Sequence, residues 1–250
     1  MFNSMYERAM KTHNLVAINI LALAILLAVI WFNTRPVGPP SDVTYGFDVS
    51  HYQGTIQWDS IDTSTYDFSI AKATGGTDYI DPDFSVNWNG MKERGLIRGA
   101  YHYFYPNESA TQQAQNYLNT VKGLQESDLP PIIDIEVSNG LDAKTIVQGL
   151  LTWLVEVEKA TQRRPMIYSD LNFAQTYLTD ESLSAYPLWI ADYNDTVGDL
   201  PKPWQASGWR LWQYSDSGAL DGIEGAVDQD KFQGDKKALK AFIKSTVVSK

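Results

Sequence analysis

Pro130-Pro131-Ile132-Ile133-Asp134-Ile135-Glu136-Val137 reads as a short buried strand with two acids set into its end. The paired prolines stop whatever precedes them, and the isoleucines supply β-branched, apolar bulk. Side chains at i and i+2 of a strand point to one face. Asp134 and Glu136 therefore share a surface, while Ile133 and Ile135 pack on the other. Carboxylates are seldom placed in an apolar strand unless they are paired or used. Two that lie close repel when both are ionised, which raises one pKa and leaves an acid beside a carboxylate at neutral pH. The competing reading is a strand end whose acids meet solvent or cap a following helix.

Outward from this stretch, strand-like runs alternate with helix-like segments. Candidate strands cover 44–49, 67–73, 96–104, 131–136, 165–169, 187–191, 209–214 and 226–229. Candidate helices cover 82–94, 109–123, 142–161, 171–180 and 236–247. The 142–161 segment has the clearest period: Asp142 stands at its cap, and Ile146, Leu150, Trp153, Leu154 and Val157 recur at helical spacing. Strands alternating with helices predict parallel βα units. Eight of them predict an α/β fold, an irregular (β/α) TIM-type barrel with some later helices missing or reduced to loops. Chemistry in such barrels sits at the C-terminal ends of the strands. Asp48 ends the first strand, Asp134 and Glu136 end the fourth, and Asp228 lies in the last. Acids far apart in sequence are thus expected to converge on one rim.

The N-terminal region reads differently. Residues 1–14 are polar and form a predicted cytoplasmic N-terminus. Residues 15–32 are apolar apart from Asn19, with Trp31 and Phe32 where an interfacial aromatic belt would fall. Arg8 and Lys11 precede the run and Arg35 follows it. We read 15–32 as an uncleaved transmembrane signal-anchor, placing the rest of the chain on the periplasmic or extracellular side of the cell membrane. A cleaved signal peptide and a buried core helix compete. The run is longer than a usual signal h-region, and no small-x-small site follows it. Residues 33–42, with Pro36, Gly38, Pro39 and Pro40, read as a stiff spacer, and 43–250 as the barrel domain.

Composition limits the function classes. The net charge is −10. Residues 1–40 hold Arg8, Lys11 and Arg35 against Glu7 alone, so the remainder is more acidic still. That argues against nucleic acid as a partner, since such binding needs cations for phosphates. The absence of cysteine excludes a disulfide framework and a thiolate metal site. Eight Trp and fourteen Tyr are many for this length. Aromatic faces stack on sugar rings, although most such residues are core or rim.

The ordered motifs resemble glycoside hydrolase family 25, the Chalaropsis-type lysozymes. The resemblance rests on Gly46-Phe47-Asp48-Val49-Ser50, Lys72-Ala73-Thr74, Asp78-Tyr79-Ile80-Asp81-Pro82-Asp83-Phe84 and Gly99-Ala100-Tyr101-His102-Tyr103-Phe104. It continues through Asp134-Ile135-Glu136, Leu188-Trp189-Ile190-Ala191, Leu211-Trp212-Gln213-Tyr214-Ser215 and Val227-Asp228, spanning residues 44–235. It implies an incomplete barrel that cleaves the β-1,4 bond between N-acetylmuramic acid and N-acetylglucosamine in peptidoglycan, without a cofactor. It also implies that Glu136 is the general acid/base. Asp134 is matched to the partner of the substrate's acetamido group or, alternatively, to a nucleophile. Asp48 and Asp228 are matched to supporting acids. The chain departs from the pattern at Gly75-Gly76, where the family often has an acid, and we read this as a change of loop shape.

Glycoside cleavage needs a proton for the leaving oxygen and support for an oxocarbenium-like transition state. Acids two residues apart on a strand fit neither usual two-carboxylate separation, so attack by the substrate's own 2-acetamido oxygen is the easier route. The candidate sugar-binding aromatics are Tyr101, Tyr168, Trp189, Tyr193 and Trp212, with Tyr214 beside them. Strand alternation lets only about half face the barrel axis, and Tyr168, Trp189 and Tyr193 are favoured. His51 reads as a rim residue and His102 as a hydrogen-bonded wall residue; no third ligand stands at metal spacing. Asp81 is expected to cap a helix, and Lys72 to partner a buried acid. A silent peptidoglycan-binding barrel and a glycosidase of another N-acetylated glycan are the alternatives. A family 18-like chitinase would carry an Asp where this chain has Ile132.

Overall fold

The structure is a computed structural model that describes residues 43–248; the predicted anchor (15–32) and spacer (33–42) lie outside the described residues. Among the described residues no helix is long and apolar enough to cross a membrane. The strands are β1 (Val43–Val49), β2 (Tyr66–Gly75), β3 (Tyr79–Ile80), β4 (Ile97–Tyr103), β5 (Ile132–Asp134), β6 (Met166–Asp170), β7 (Leu188–Ala191), β8 (Leu211–Gly218) and β9 (Val227–Gln233). The helices are α1 (Phe84–Glu93), α2 (Ala110–Thr120), α3 (Ala143–Thr161), α4 (Leu171–Tyr177) and α5 (Lys236–Ser245).

The sheet order is β1-β9-β8-β7-β6-β5-β4-β2, and pairing of β1 with β2 closes it into an eight-stranded barrel. β3 lies outside the ring as a short hairpin partner of β2. Seven ring strands run parallel, as the alternation predicts. The eighth does not: β9 is antiparallel to both β1 and β8. The reason is the connection. Residues 219–226 between β8 and β9 are too few for a crossover, which takes a dozen or more, so the chain returns as a hairpin. The later helices are reduced as expected: only the 3-10 turn Lys202–Trp204 lies between β7 and β8.

Local chemistry fixes the helix starts. The side chains of Ser109, Asp142, Asp170 and Asp235 accept from backbone N–H groups of the first turns of α2, α3, α4 and α5. On α3, Ile146, Leu150, Trp153, Leu154 and Val157 are buried, the stripe read from the sequence. At α1 the expectation needs correcting. Asp83, not Asp81, stands at the N-cap position and makes no side-chain cap. Asp81 Oδ1 accepts the Asp83 N–H at 3.1 Å in the turn before the helix, while its Oδ2 takes His51 Nδ1 at 2.7 Å and the His51 backbone N–H at 3.2 Å.

Alternation sorts the strand side chains into two cores. Phe68, Ile70, Ile132, Met166, Trp189, Leu211 and Phe232 pack together with Leu239 and Ile243 of α5. Phe47, Ile133, Ile135, Ile167, Leu188, Ile190 and Trp212 pack outward in the cluster that holds the buried α3 residues. Gly46 makes room for this arrangement: a Cβ there would lie 2.3 Å from the Phe68 ring.

Candidate active site

A cavity of about 210 Å³ opens at the C-terminal rim of the parallel strands, and every ring strand sends a side chain into it. Asp48 comes from β1, Lys72 from β2, Tyr101 and Tyr103 from β4, Asp134 from β5, Tyr168 from β6, Trp189 from β7, Gln213 from β8 and Asp228 from β9. The reversed direction of β9 matters here. Asp228 is its second residue and lies directly opposite Asp48, near the end of β1. An antiparallel strand delivers its beginning, not its end, to this rim.

Glu136 stands two residues beyond the last residue of β5, so the strand is shorter than the 131–136 read from the sequence. The alternation nevertheless continues: Asp134 and Glu136 both line the cavity, and Ile133 and Ile135 are buried in the outer core. The four expected acids are thus brought together. All four hold their protons more tightly than ordinary carboxyls. Burial is the first cause for each. The next cause is the charge of Asp228 for Asp48, of Glu136 for Asp134, of Asp170 for Glu136 and of Asp216 for Asp228. Asp228 is pushed up to about 6. Lys72 opposes the rise at Asp134 and Glu136. Its ammonium makes no ion pair among the described residues and lies over the rings of Tyr103 and Tyr79, at 4.8 and 5.7 Å. It acts on the acids through its field, not by the direct pairing expected.

Among the described residues, one fully buried oxygen of these four acids has no partner. Asp134 Oδ1 is buried and accepts no hydrogen bond. Such a group is costly to bury unless something arrives to donate to it.

The expected aromatics divide. Tyr101, Tyr168 and Trp189 line the cavity. Tyr193 is 53% exposed at the rim, and its hydroxyl donates to Gln213 Oε1 at 2.8 Å. Trp212 is not in the cleft: it points into the outer core and donates from Nε1 to the Asp192 carbonyl at 2.7 Å. The reason is register. Leu211 and Gln213 face inward on β8, so Trp212 between them faces out. Tyr214 follows it outward, with Lys231 over both rings. His102 is a buried wall residue, bonded to Thr74 Oγ1 at 2.8 Å and Gln113 Oε1 at 3.1 Å and stacked on Trp153. Burial lowers its pKa to about 4, so it is neutral at physiological pH. His51 sits at the rim with Tyr52 leaning on its ring, centroids 4.2 Å apart.

Gln213, Asp230 and Tyr52 are among the residues that escaped the sequence reading. Gln213 ties the cluster together: its Oε1 accepts from Tyr168 and Tyr193, and its Nε2 donates to Asp48 Oδ2 at 2.8 Å. Asp230, two residues from Asp228, is fully buried beside Asp48. Tyr52 lines the cavity and is 80% exposed. Asp230 carried a legible signal, since it stands two residues from Asp228 on one strand and so shares its face.

Residues 47–223 match the family model of glycosyl hydrolases family 25. The chain belongs to that family. It is 39% identical over 210 residues to the uncharacterized protein YegX of Escherichia coli K12, covering 82% of this chain and 75% of that one. It is 32% identical over 224 residues to Lysozyme M1 of Streptomyces globisporus, covering 85% and 76%. Among solved structures, the bacterial lysozyme from Streptomyces coelicolor superposes with a TM-score of 0.75 at 32% identity, covering 81% of this chain and 98% of that one. The chain is a glycoside hydrolase of the lysozyme type.

Proposed function

We propose that this protein is a membrane-anchored muramidase that hydrolyses the β-1,4 bond between N-acetylmuramic acid and N-acetylglucosamine in peptidoglycan. The observation that carries the chemistry is the buried Asp134 oxygen without a donor, in a cleft beside Glu136. A 2-acetamido group bound there offers the missing N–H to Asp134. That bond turns the acetamido oxygen toward the anomeric carbon and supports its attack. Glu136, its proton held by burial and by the charge of Asp170, protonates the leaving oxygen. After departure it takes a proton from the water that opens the intermediate. Asp48 and Asp228 surround the pair with negative charge, which favours a protonated Glu136 and an oxocarbenium-like centre alike. Tyr101, Tyr168, Trp189 and Tyr193 supply faces and hydroxyls for the sugar rings. The printed names of Lysozyme M1 and of the N,O-diacetylmuramidase of Chalaropsis sp, 29% identical over 205 residues, support this substrate.

The decisive assay is product analysis. The protein should release reducing-end N-acetylmuramic acid from peptidoglycan, and Glu136→Gln should lower the rate by about 10²–10⁴-fold, the range for loss of a general acid. Reducing-end N-acetylglucosamine as the product would refute the assignment.

The anchor reading rests on the apolar run 15–32 and the Pro-rich spacer after it. It places the barrel on the outer face of the cell membrane, within reach of the wall. Fractionation with N-terminal sequencing of the mature protein tests it, and a mature start near Ser41 would overturn it.

A further inference from the structure

We propose that Asp230 is a positioning residue that stands protonated at the floor of the cleft and donates a hydrogen bond to Asp48, holding Asp48 as a fixed carboxylate.

Asp230 is 0% exposed, on β9, with its side chain on the same inner face as Asp228 two residues earlier. Across the barrel seam it is registered with Gly46 of β1 and Gln213 of β8. Its Oδ1 accepts from Trp189 Nε1 at 2.9 Å. Its Oδ2 is buried and, among the described residues, receives no hydrogen from any N–H or O–H donor. A bare carboxylate oxygen in such a place is strongly disfavoured.

The Asp48 carboxyl supplies the resolution. The two carboxyl groups lie within hydrogen-bonding reach of each other. Two carboxylates that close cannot both be ionised in a buried site, so they share one proton. The donors around them decide which keeps it. Asp48 Oδ2 receives the Gln213 amide at 2.8 Å, and Asp48 lines the cleft. Asp230 lies deeper, with one indole N–H and an orphaned oxygen. A proton on Oδ2, turned to Asp48, satisfies both groups at once. Burial raises both carboxyls; their shared bond works in opposite senses on them, lowering Asp48 and raising Asp230. Asp230 also holds the Trp189 indole, so one side chain orients a cleft acid and a cleft aromatic. Its role rests on the muramidase reading only for what Asp48 then does.

The test uses the full chain and three proteins. In Asp230→Asn the amide Nδ2 donates to Asp48 and Oδ1 still accepts from Trp189. Its kcat should stay within roughly threefold of the unmutated enzyme. Asp230→Leu keeps the bulk but cannot donate, and its kcat should fall by about 10- to 100-fold, the worth of a hydrogen bond to a charged group. Circular dichroism and thermal melts report whether the leucine variant folds. Difference infrared spectra at neutral pH give a reading independent of substrate. A protonated-carboxyl C=O band present in the unmutated chain should be missing from Asp230→Asn. Loss of activity in Asp230→Asn equal to that in Asp230→Leu would overturn the proposal, as would the absence of that band difference. If the unmutated chain cleaves no peptidoglycan, the muramidase reading fails, while the infrared result still decides where the proton is.

Discussion

Replacing Asp228 by Asn is expected to stabilise the domain at neutral pH while lowering its activity. Burial, and after it the charge of Asp216, raise the Asp228 carboxyl from its ordinary 3.8 to about 6. A carboxyl with a higher pKa in the fold than in the unfolded chain binds its proton more tightly when folded. Its favourable contribution is complete below the unfolded value and is lost as pH rises through about 6. A shift of about two units corresponds to about 3 kcal/mol at 1.36 kcal/mol per unit. The side chain is only half-buried, so solvent screening reduces this to about 1–2 kcal/mol. The amide carries no charge and escapes the penalty. Asp48 and Asp230, which the Asp228 charge also pushes up, are relieved in the same direction. Urea unfolding of the two proteins, run in parallel between about pH 4 and pH 8, measures the gap. It should be small at the acidic end and grow through pH 6 to about 1–2 kcal/mol, roughly 2–8 °C in Tm for a domain of this size. A variant less stable than its parent at neutral pH, or a gap that does not vary with pH, would refute the reasoning.

Gln213→Leu removes the donor to Asp48 Oδ2 and the acceptor of the Tyr168 and Tyr193 hydroxyls. It should cost about 1–3 kcal/mol for each buried group left alone, and raise the Asp48 pKa further; unfolding curves and a pH–rate profile check the two parts. Gly46→Ala drives a Cβ to 2.3 Å from the Phe68 ring. Overpacking of this kind costs about 1–3 kcal/mol, read as a lower Tm, and it disturbs Asp48 two residues on. Trp212→Phe loses the bond to the Asp192 carbonyl and should cost about 1–2 kcal/mol in unfolding with KM unchanged, because the ring lies outside the cleft; a raised KM would return Trp212 to the substrate.

Most of the barrel was legible because its signals are local. The i, i+3, i+4 stripe of α3 and the side-chain cap of Asp142 need no knowledge of the rest of the chain. The pair Asp134 and Glu136 was legible for the same reason: a two-residue period assigns a face even where the ladder has ended at Asp134. What was hidden depends on partners. Nothing within Leu211–Tyr214 says which of two alternating sets faces the axis, and the choice of Trp212 as a cleft residue fell to that ambiguity. Asp81 looked like a cap from its neighbours Pro82 and Asp83; one oxygen does accept the Asp83 N–H, but the other is taken by His51, thirty residues away.

The direction of β9 shows how acids expected to converge can do so through a fold read incompletely. In an all-parallel barrel, only residues late in a strand reach the catalytic rim. Asp228 is early in β9, so parallel β9 would have put it at the opposite end, away from Asp48. The hairpin return reverses this and sets Asp228 directly across from Asp48. The same reversal makes Asp230, later in the strand, the deeper of the two. A strand entering from the rim carries its acids downward into the barrel, from the half-buried Asp228 to the fully buried Asp230. Depth then separates their chemistry: the shallow carboxyl titrates near 6, and the deep one is where a retained proton serves as a donor. The antiparallel strand therefore sets two acids at the same i, i+2 spacing at two different depths, and on our proposal in two different protonation states.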